Sequence, residues 1–306
     1  MFKRKIIGIS VCTAMLSAHA LAASIPVNGT TVDINSDHSS DVYNATNAAT
    51  VNVDNNGSTG AISSNASAVN IFDGGTVNGR ISASNGSSIQ IGGGAVINNA
   101  GAFALSLNKS TASIGDLNKQ ATVNGSIALF TDASLFIVNT RVNGEIATTG
   151  STNLSIGKGT VITTDSKDSV VTENTGSVLI DNAVINNTGN SKSAIQLSTN
   201  THVAGNATSD ITIRNTEINS ENGYGIDLIS RFGGNTQLTL TSTKIDTLNS
   251  DGVRAQGGGT LLNADNINIK SGLNGLDVES GATANINNSM IFGGAVRNNH
   301  IERNQQ

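Results

Sequence analysis

The chain has 306 residues, with 17 Lys and Arg against 22 Asp and Glu and a formal net charge of −5 at pH 7. This acidic balance argues against nucleic acid and anionic membrane surfaces as partners, because both bind through basic residues. Only 13% of the residues are charged and 3% are aromatic, while Gly is abundant. Low charge with many small polar residues can indicate disorder, but a regular apolar repeat argues against it here.

Residues 1–22 have the features of a secretory signal peptide: three basic residues near the start, an apolar run over 6–16 and small residues up to Ala22. We expect cleavage after Ala22. The run is too short to span a bilayer, and no later stretch reads as a transmembrane segment. The single cysteine, Cys12, lies in the signal segment, so the mature chain would depend on packing and backbone pairing and not on disulfides.

The rest of the chain divides into three segments. Residues 23–60 lack clean copies of the repeat described next, and we expect an N-terminal cap or an irregular first coil there. Residues 61–292 carry the repeat without a linker or a charge run, which predicts one domain. Residues 293–306 are expected to form a frayed polar tail.

A triplet in which two apolar residues flank one variable residue recurs about every 20 to 30 residues, a period typical of solenoids. The alternation within each copy predicts a strand that is buried on one side. The ten copies are Val69–Ile71, Ile89–Ile91, Ala112–Ile114, Leu135–Ile137, Leu154–Ile156, Val178–Ile180, Ile211–Ile213, Leu238–Leu240, Leu262–Ala264 and Ala284–Ile286.

Two further strands follow each triplet. Inward positions of the second strand are predicted at Val77, Val96, Val123, Val142, Val161, Ile185, Ile218, Ile245, Ile269 and Ile291. The third strand is clearest at Ile195–Leu197, Ile226–Leu228, Val253–Ala255 and Leu276–Val278. Such half-buried strands bury their apolar sides by stacking coil on coil, at about 4.8 Å per coil. The predicted fold class is all-β: a single-chain parallel β-helix of about ten coils, three short strands per coil, right-handed by the general rule for parallel connections.

Asn, Asp and Gly dominate the position two residues after each triplet, where a tight turn connects the first two strands. These residues tolerate the left-handed backbone that such turns need. Stacked Asn side chains also bond from coil to coil, so we interpret them as a structural turn ladder, with a row of ligand-binding amides as the alternative. The Asn members are Asn139, Asn182, Asn215, Asn266 and Asn288.

The signal peptide, the cysteine-free coils and two segments, Gly-Tyr-Gly-Ile-Asp-Leu at 223–228 and Ser-Asp-Gly-Val-Arg-Ala at 250–255, resemble autotransporter passenger domains, in particular pertactin-like ones. The resemblance covers about residues 60–292 and lies in composition and period. It implies an exported β-helix, often an adhesin. Such proteins end in a translocating β-barrel, which is expected but has no counterpart in this sequence, so the chain resembles a passenger truncated before its barrel.

Outward positions of the predicted strands carry charges of alternating sign. Asp227, Arg254 and Asp277 follow one another on third strands, and Glu217 is followed by Lys244 on second strands. At about 4.8 Å between coils these charges attract and partly neutralise each other. A glycosidase instead needs two acids with separated pKa values beside one bond. We therefore predict no catalytic, metal-binding or cofactor-binding residues.

Longer connections, around 186–208 and 219–236, are where a solenoid would present a binding loop. The candidates for partner contact there are Tyr224, Arg231 and Phe232, with simple covering of an exposed loop as the alternative.

The leading hypothesis is a non-catalytic passenger that serves as an adhesin-like stalk or display scaffold. Its partners would be ligands on host cells or bacterial surfaces, and its location the cell surface, the outer membrane or the medium, or the periplasm if no translocator exists. The alternatives are a secreted polysaccharide lyase or hydrolase of the β-helix type and a truncated remnant without function.

Overall fold

The computed structural model describes residues 23–173, 176–200, 208–231, 233–293, 295–298 and 301–303. Over these residues the protein is all-β and contains no helix. Its strands stack in parallel as a β-solenoid of about 11 turns. The predicted fold class is therefore confirmed. The expected signal peptide, residues 1–22, lies outside the described residues.

In chain order the strands are β1 (Ser24–Asn28), β2 (Thr31–Ile34), β3 (Asp37–His38), β4 (Val42–Thr46), β5 (Thr50–Val53), β6 (Ser58–Thr59), β7 (Ile62–Asn65), β8 (Ala68–Ile71), β9 (Thr76–Val77), β10 (Ile81–Ser84), β11 (Ser88–Ile91), β12 (Val96–Asn108), β13 (Thr111–Ile114), β14 (Ala121–Phe130), β15 (Ser134–Ile137), β16 (Thr140–Asn143), β17 (Ile146–Thr149), β18 (Asn153–Ile156), β19 (Val161–Thr164), β20 (Val170–Glu173), β21 (Ser177–Asp181), β22 (Val184–Asn190), β23 (Ile195–Asn200), β24 (Thr208–Arg214), β25 (Glu217–Asn222), β26 (Ile226–Arg231), β27 (Asn235–Thr241), β28 (Lys244–Thr247), β29 (Val253–Gln256), β30 (Thr260–Asp265), β31 (Asn268–Ser271), β32 (Asn274–Glu279), β33 (Thr283–Asn287), β34 (Met290–Phe292), β35 (Ala295–Asn298) and β36 (Ile301–Arg303).

The strands of each coil lie on three faces. The triplet face is a sheet of 13 strands that contains all ten predicted triplets: β2, β5, β8, β11, β13, β15, β18, β21, β24, β27, β30, β33 and β36. The second face contains β3, β6, β9, β16, β19, β22, β25, β28, β31 and β34. The third face contains β1, β4, β7, β10, β17, β20, β23, β26, β29, β32 and β35. The second and third faces form one sheet of 23 strands, because β12 and β14 run through the corner between them.

Residue-by-residue register holds the coils together. On the triplet face Ile71 pairs with Ile91, Ile91 with Ile114, and Ile114 with Ile137. These side chains are at most 2% exposed. Each inward aliphatic side chain therefore packs on a similar one in the next coil, and full burial of such a side chain is worth about 1.5–3 kcal/mol. The core is one continuous column along the solenoid axis.

Regular coils begin earlier than the clean triplets. In residues 23–60, where the sequence predicts a cap or an irregular coil, β2 pairs with β5 and β5 with β8 on the triplet face. The inward residues of β5, Val51 and Val53, are fully buried. In the expected tail, β35 and β36 pair with β32 and β33.

Two predicted inward positions of the second face, Val96 and Val161, are wrong by one residue. Ile97 and Ile162 are fully buried, whereas Val96 and Val161 are only half-buried. The turn before each strand contains a glycine with a φ of 78° and is one residue longer than the turns that contain Asn. Because side chains alternate between inward and outward along a strand, one extra residue in the turn makes the following residue of the strand the inward one.

This correction predicts different costs for two neighbouring substitutions. Ile162→Ala opens a cavity in the core and should lower the free energy of unfolding by about 2–5 kcal/mol. Val161→Ala, the matched control, should change it by about 0.5 kcal/mol or less, as is usual for substitutions outside the core. Urea unfolding followed by circular dichroism measures both. Equal losses would contradict the assignment of Ile162 as the inward residue.

Candidate functional site

The richest group of charged and aromatic side chains lies on the third face and at the second corner, which is the connection between second-face and third-face strands. We call it the corner cluster and define it as Asp168, Tyr224, Asp227, Asp251 and Arg254. In β26 and β29 the alternation directs Ile226, Leu228, Val253 and Ala255 into the core, where all are fully buried. The residues between them, which pair across the two coils, are therefore outward.

Arg254 connects the two sides of the cluster. Its Nε and Nη2 donate to Oδ1 and Oδ2 of Asp227, each over 2.8 Å. Its guanidinium carbon lies 4.2 Å from the ring centroid of Tyr224. The Asp227 side chain is 4% exposed and that of Arg254 22%. A two-pronged, charge-assisted pair of this kind has a fixed geometry, so Arg254 and the Tyr224 ring are held in place.

The pKa of Arg254 reflects two opposing effects. Burial disfavours the charged guanidinium, but the hydrogen bonds and the charge of Asp227 outweigh burial and raise the pKa. Arg254 is therefore a permanent cation at this site.

Two corner carboxylates bind backbone amides of the next coil. The Ser193 N–H donates to Oδ1 of Asp168 over 2.5 Å, and the Asn274 N–H donates to Oδ1 of Asp251 over 2.8 Å. Burial raises the pKa of Asp168, although the Ser193 amide and the charge of Lys192 act in the opposite direction. Burial also raises the pKa of Tyr224.

The predicted alternation of charge is confirmed. Asp227 pairs in register with Arg254, and Arg254 with Asp277. On the second face Lys244 Nζ lies 3.4 Å from Oε1 of Glu217. Lys244 also lies 2.7 Å from Oδ2 of Asp246. On these two faces, acidic and basic side chains of neighbouring coils therefore partly neutralise one another.

The structure describes two of the three predicted partner-binding residues, Tyr224 and Arg231, and does not bring these two together. Tyr224 precedes β26 and contacts Arg254. Arg231 is exposed at the last residue of β26, about 20 Å farther along the strand. Phe232 lies outside the described residues. Of the two described residues, Tyr224 alone therefore belongs to the corner cluster.

The five predicted turn residues all have a left-handed backbone, with φ between 43° and 58°. Their side chains do not bond to one another. The amide nitrogen of Asn139 donates to the carbonyl of Asp116, that of Asn215 to Asp181, that of Asn266 to Ser242 and that of Asn288 to Asp265. The backbone amide of Asn182 donates to the carbonyl of Arg214.

An Asn-to-Asn ladder is present elsewhere, at the end of the second-face strands. It consists of Asn78, Asn98, Asn124 and Asn143. In each step Nδ2 of the later residue donates to Oδ1 of the earlier one, over 3.1, 2.8 and 2.7 Å. The ladder ties four successive coils at the edge of the second corner.

Sequence reasoning overlooked Asp168 and Asp251, although a signal exists. A polar residue, a small residue and an inward aliphatic residue recur at the second corner. The copies are Asp168-Ser169-Val170, Ser193-Ala194-Ile195, Tyr224-Gly225-Ile226, Asp251-Gly252-Val253 and Asn274-Gly275-Leu276. In the coil of Tyr224 this residue must be glycine, because a Cβ on Gly225 would lie 2.4 Å from Cγ2 of Ile245. These corner residues align in one column when the coils are aligned on their third strands. They do not align when the coils are aligned on the triplets.

No protein-family model, no curated protein and no solved structure matches this chain. Among the described residues no group of three or more His, Cys, Asp or Glu side chains is arranged to hold a metal ion. Within the same part of the chain no helix is long and apolar enough to cross a membrane.

Because Asp227 is buried, we predict that loss of its arginine partner lowers the free energy of unfolding more than loss of the arginine in an exposed Arg–Asp pair. Arg254→Met leaves a buried carboxylate without its cation and should lower the free energy of unfolding by about 3–5 kcal/mol. Arg214→Met is the control, because Arg214 donates one 2.8 Å hydrogen bond to Asp181 and the two side chains are 49% and 29% exposed. It should cost about 0–1 kcal/mol. Urea unfolding measures both, and similar losses would contradict the role of Arg254.

The raised pKa of Asp168 predicts a pH-dependent variant. The folded chain keeps this proton to higher pH than the unfolded chain, so the contribution of Asp168 to stability falls as pH rises from about 4 through the folded-state pKa. Asp168→Asn keeps the acceptor for Ser193 and removes the titration. Relative to the wild type, we expect the variant to gain stability between pH 3 and pH 7, measured as the difference in urea midpoints.

Asp181→Asn is the matched control for this pH dependence. Hydrogen bonds from Arg214 and Asn215 lower the pKa of Asp181, so its carboxylate contributes stability that is present above about pH 4 and is lost as pH falls through the folded-state pKa. Asp181→Asn should therefore be less stable than the wild type at pH 7, and the difference should shrink at pH 3. A midpoint difference for Asp168→Asn that is independent of pH would contradict the assignment.

Proposed function

We propose that the protein is a non-catalytic passenger of the autotransporter type, exposed on the cell surface or secreted, and that it serves as an adhesin-like stalk or display scaffold. The observation that carries the proposal is the unbroken pairing of the 13 strands of the triplet face. At about 4.8 Å per coil this sheet is about 60 Å long. A rod of that length holds its corners and loops away from whatever surface anchors it.

The outward surface of the rod supports the same function. Short polar side chains occupy most outward positions of the triplet face, such as Asn70, Ser113, Ser155, Thr212 and Thr239. Such a surface binds water and partner groups through many weak polar contacts. An interface of this kind gains strength from repetition along the rod, as several weak sites bind one surface together.

The alternative is a polysaccharide-cleaving enzyme, and one observation favours it. Asp168 has a raised pKa and lies close enough to Asp227 for the two charges to interact, and a glycosidase uses one protonated acid beside one carboxylate. Against this, both oxygens of Asp227 accept hydrogen bonds from Arg254. Oδ1 of Asp168 accepts the Ser193 amide. Asp227 is therefore held in an ion pair and is not a free second carboxylate, and these contacts leave Oδ2 as the atom of Asp168 that could transfer a proton.

Adhesion and polysaccharide cleavage can be separated in one experiment. Beads coated with the purified chain are incubated with epithelial cells and with bacterial cells, and retention is counted. The same preparation is incubated with pectin and polygalacturonate, and new reducing ends or unsaturated products are assayed. We expect retention of native beads only, with urea-unfolded protein as the control, and no cleavage. Cleavage that disappears in Asp168→Asn would overturn the proposal in favour of the enzyme.

A further inference from the structure

A groove of about 330 Å³ opens at the second corner, next to Asp168, the first residue of the corner cluster. Its floor contains Gly125, Asn143, Gly144 and Glu145, one wall contains Gly101, and the other wall is 163–167. We call it the glycine groove. The first wall is a protrusion of β12, where the pairing with β14 shifts register between Asn98 and Phe103.

Glycine pairs create the floor of the groove. A Cβ on Gly144 would lie 2.5 Å from the carbonyl carbon of Gly125, and a Cβ on Gly125 would lie 2.5 Å from the carbonyl oxygen of Asn99. Gly125 also has a φ of 132°, which allows β14 to pass through the corner without a loop. In later coils Ser193, Tyr224 or Asp251 fills the same corner, so the depression exists where backbone stacks directly on backbone.

Functional groups surround this floor. Lys167 reaches from its wall so that Nζ lies 3.4 Å from Oε2 of Glu145 and 5.5 Å from the ring centroid of Phe103. Phe103 lies beside the groove and pairs with Ser126 of its lining. The Glu145 side chain is 16% exposed, and the residue Phe103 as a whole is 36% exposed. Asn143 is the last member of the Asn ladder, because the paired residue of the next coil is Thr163. Asn143 only donates within the ladder, and no ladder residue donates to its Oδ1.

These groups point to one class of ligand. A volume of about 300 Å³ or more accommodates a small organic molecule. The carboxylate of Glu145 accepts hydroxyl hydrogens, Asn143 donates and accepts, and Lys167 donates. Lys167 Nζ lies over one face of the Phe103 ring, and the ring adds apolar surface beside the groove for the C–H bonds of a sugar ring. We propose that the glycine groove binds a neutral saccharide, a proposal that rests on the scaffold function and names its ligand.

The charges of the groove favour a neutral ligand over an ionic one. Glu145 and Asp165 carry two negative charges against the one positive charge of Lys167, so an acidic polysaccharide is repelled. Lys167 already contacts Glu145 and limits the attraction for a cationic ligand. A neutral ring with many hydroxyl groups can bind without separating Lys167 from Glu145 and without adding charge to the groove.

The test uses saturation-transfer NMR of the purified exported chain with hexasaccharides of glucose, galactose, mannose and N-acetylglucosamine. We expect at least one of them to bind. Glu145→Gln keeps the shape of the floor and should weaken that binding about tenfold, as expected for loss of a charge-assisted hydrogen bond. Phe103→Ala should also weaken it. Glu221→Gln, at the same corner in a later coil, is the control and should bind as the wild type does.

Three outcomes overturn the saccharide proposal: no hexasaccharide binds, binding is unchanged in Glu145→Gln and Phe103→Ala while circular dichroism shows both variants folded, or spermine displaces the sugar at equal concentration. The bead assay separates this failure from failure of the scaffold function. If beads carrying Phe103→Ala adhere to cells as wild-type beads do, adhesion stands and the groove is not its site. Loss of both sugar binding and adhesion in that variant supports the groove as the adhesive site.

Discussion

The register between coils is the constraint on which the rest of the structure depends. Strands pair in parallel with the equivalent strands of the next coil. Once one pair of residues is in register, every other residue of the strand stacks on a defined residue of the next coil. Because side chains alternate with a period of two, a slip by one residue would turn the aliphatic column outward. The core therefore also determines which outward groups meet, including Arg254 with Asp227 and Lys244 with Glu217.

Corners are where the backbone leaves the strand ladder and where other hydrogen bonds must replace it. At the second corner Asn187 is 1% exposed. Its Nδ2 donates to the carbonyls of Lys167 and Ser193, and its Oδ1 accepts the Gly189 amide. The same corner holds both the corner cluster and the glycine groove. Its chemistry varies from coil to coil while the inward aliphatic residues on either side of it remain the same.

The sequence alone predicts the solenoid and the triplet face, because an apolar residue at every second position is visible without knowledge of the turns. It misplaces the inward residue at Val96 and Val161, since the length of a turn and not the apolar pattern decides which neighbour points inward. It overlooks the corner cluster, because Tyr224 and Asp251 come to lie in successive coils of one column only after coils of unequal length are aligned on the third strand. The sequence also does not predict the protrusion before Phe103, because the protrusion lies within strand β12 and its residues have no pattern typical of a loop.

A residue that serves only stacking recurs from coil to coil, as the inward Ile, Leu and Val residues do. Positions that depart from the repeat are therefore the more informative ones in a search for the function of a solenoid. Gly125 and Gly144 replace the side chains that fill this corner in later coils, and Phe103 lies on the one segment where β12 leaves register with β14. The inward columns on either side remain intact, so these departures change the surface and leave the aliphatic core in place. That separation between a uniform core and variable corners is the physical reason why a β-solenoid is suited to display binding groups.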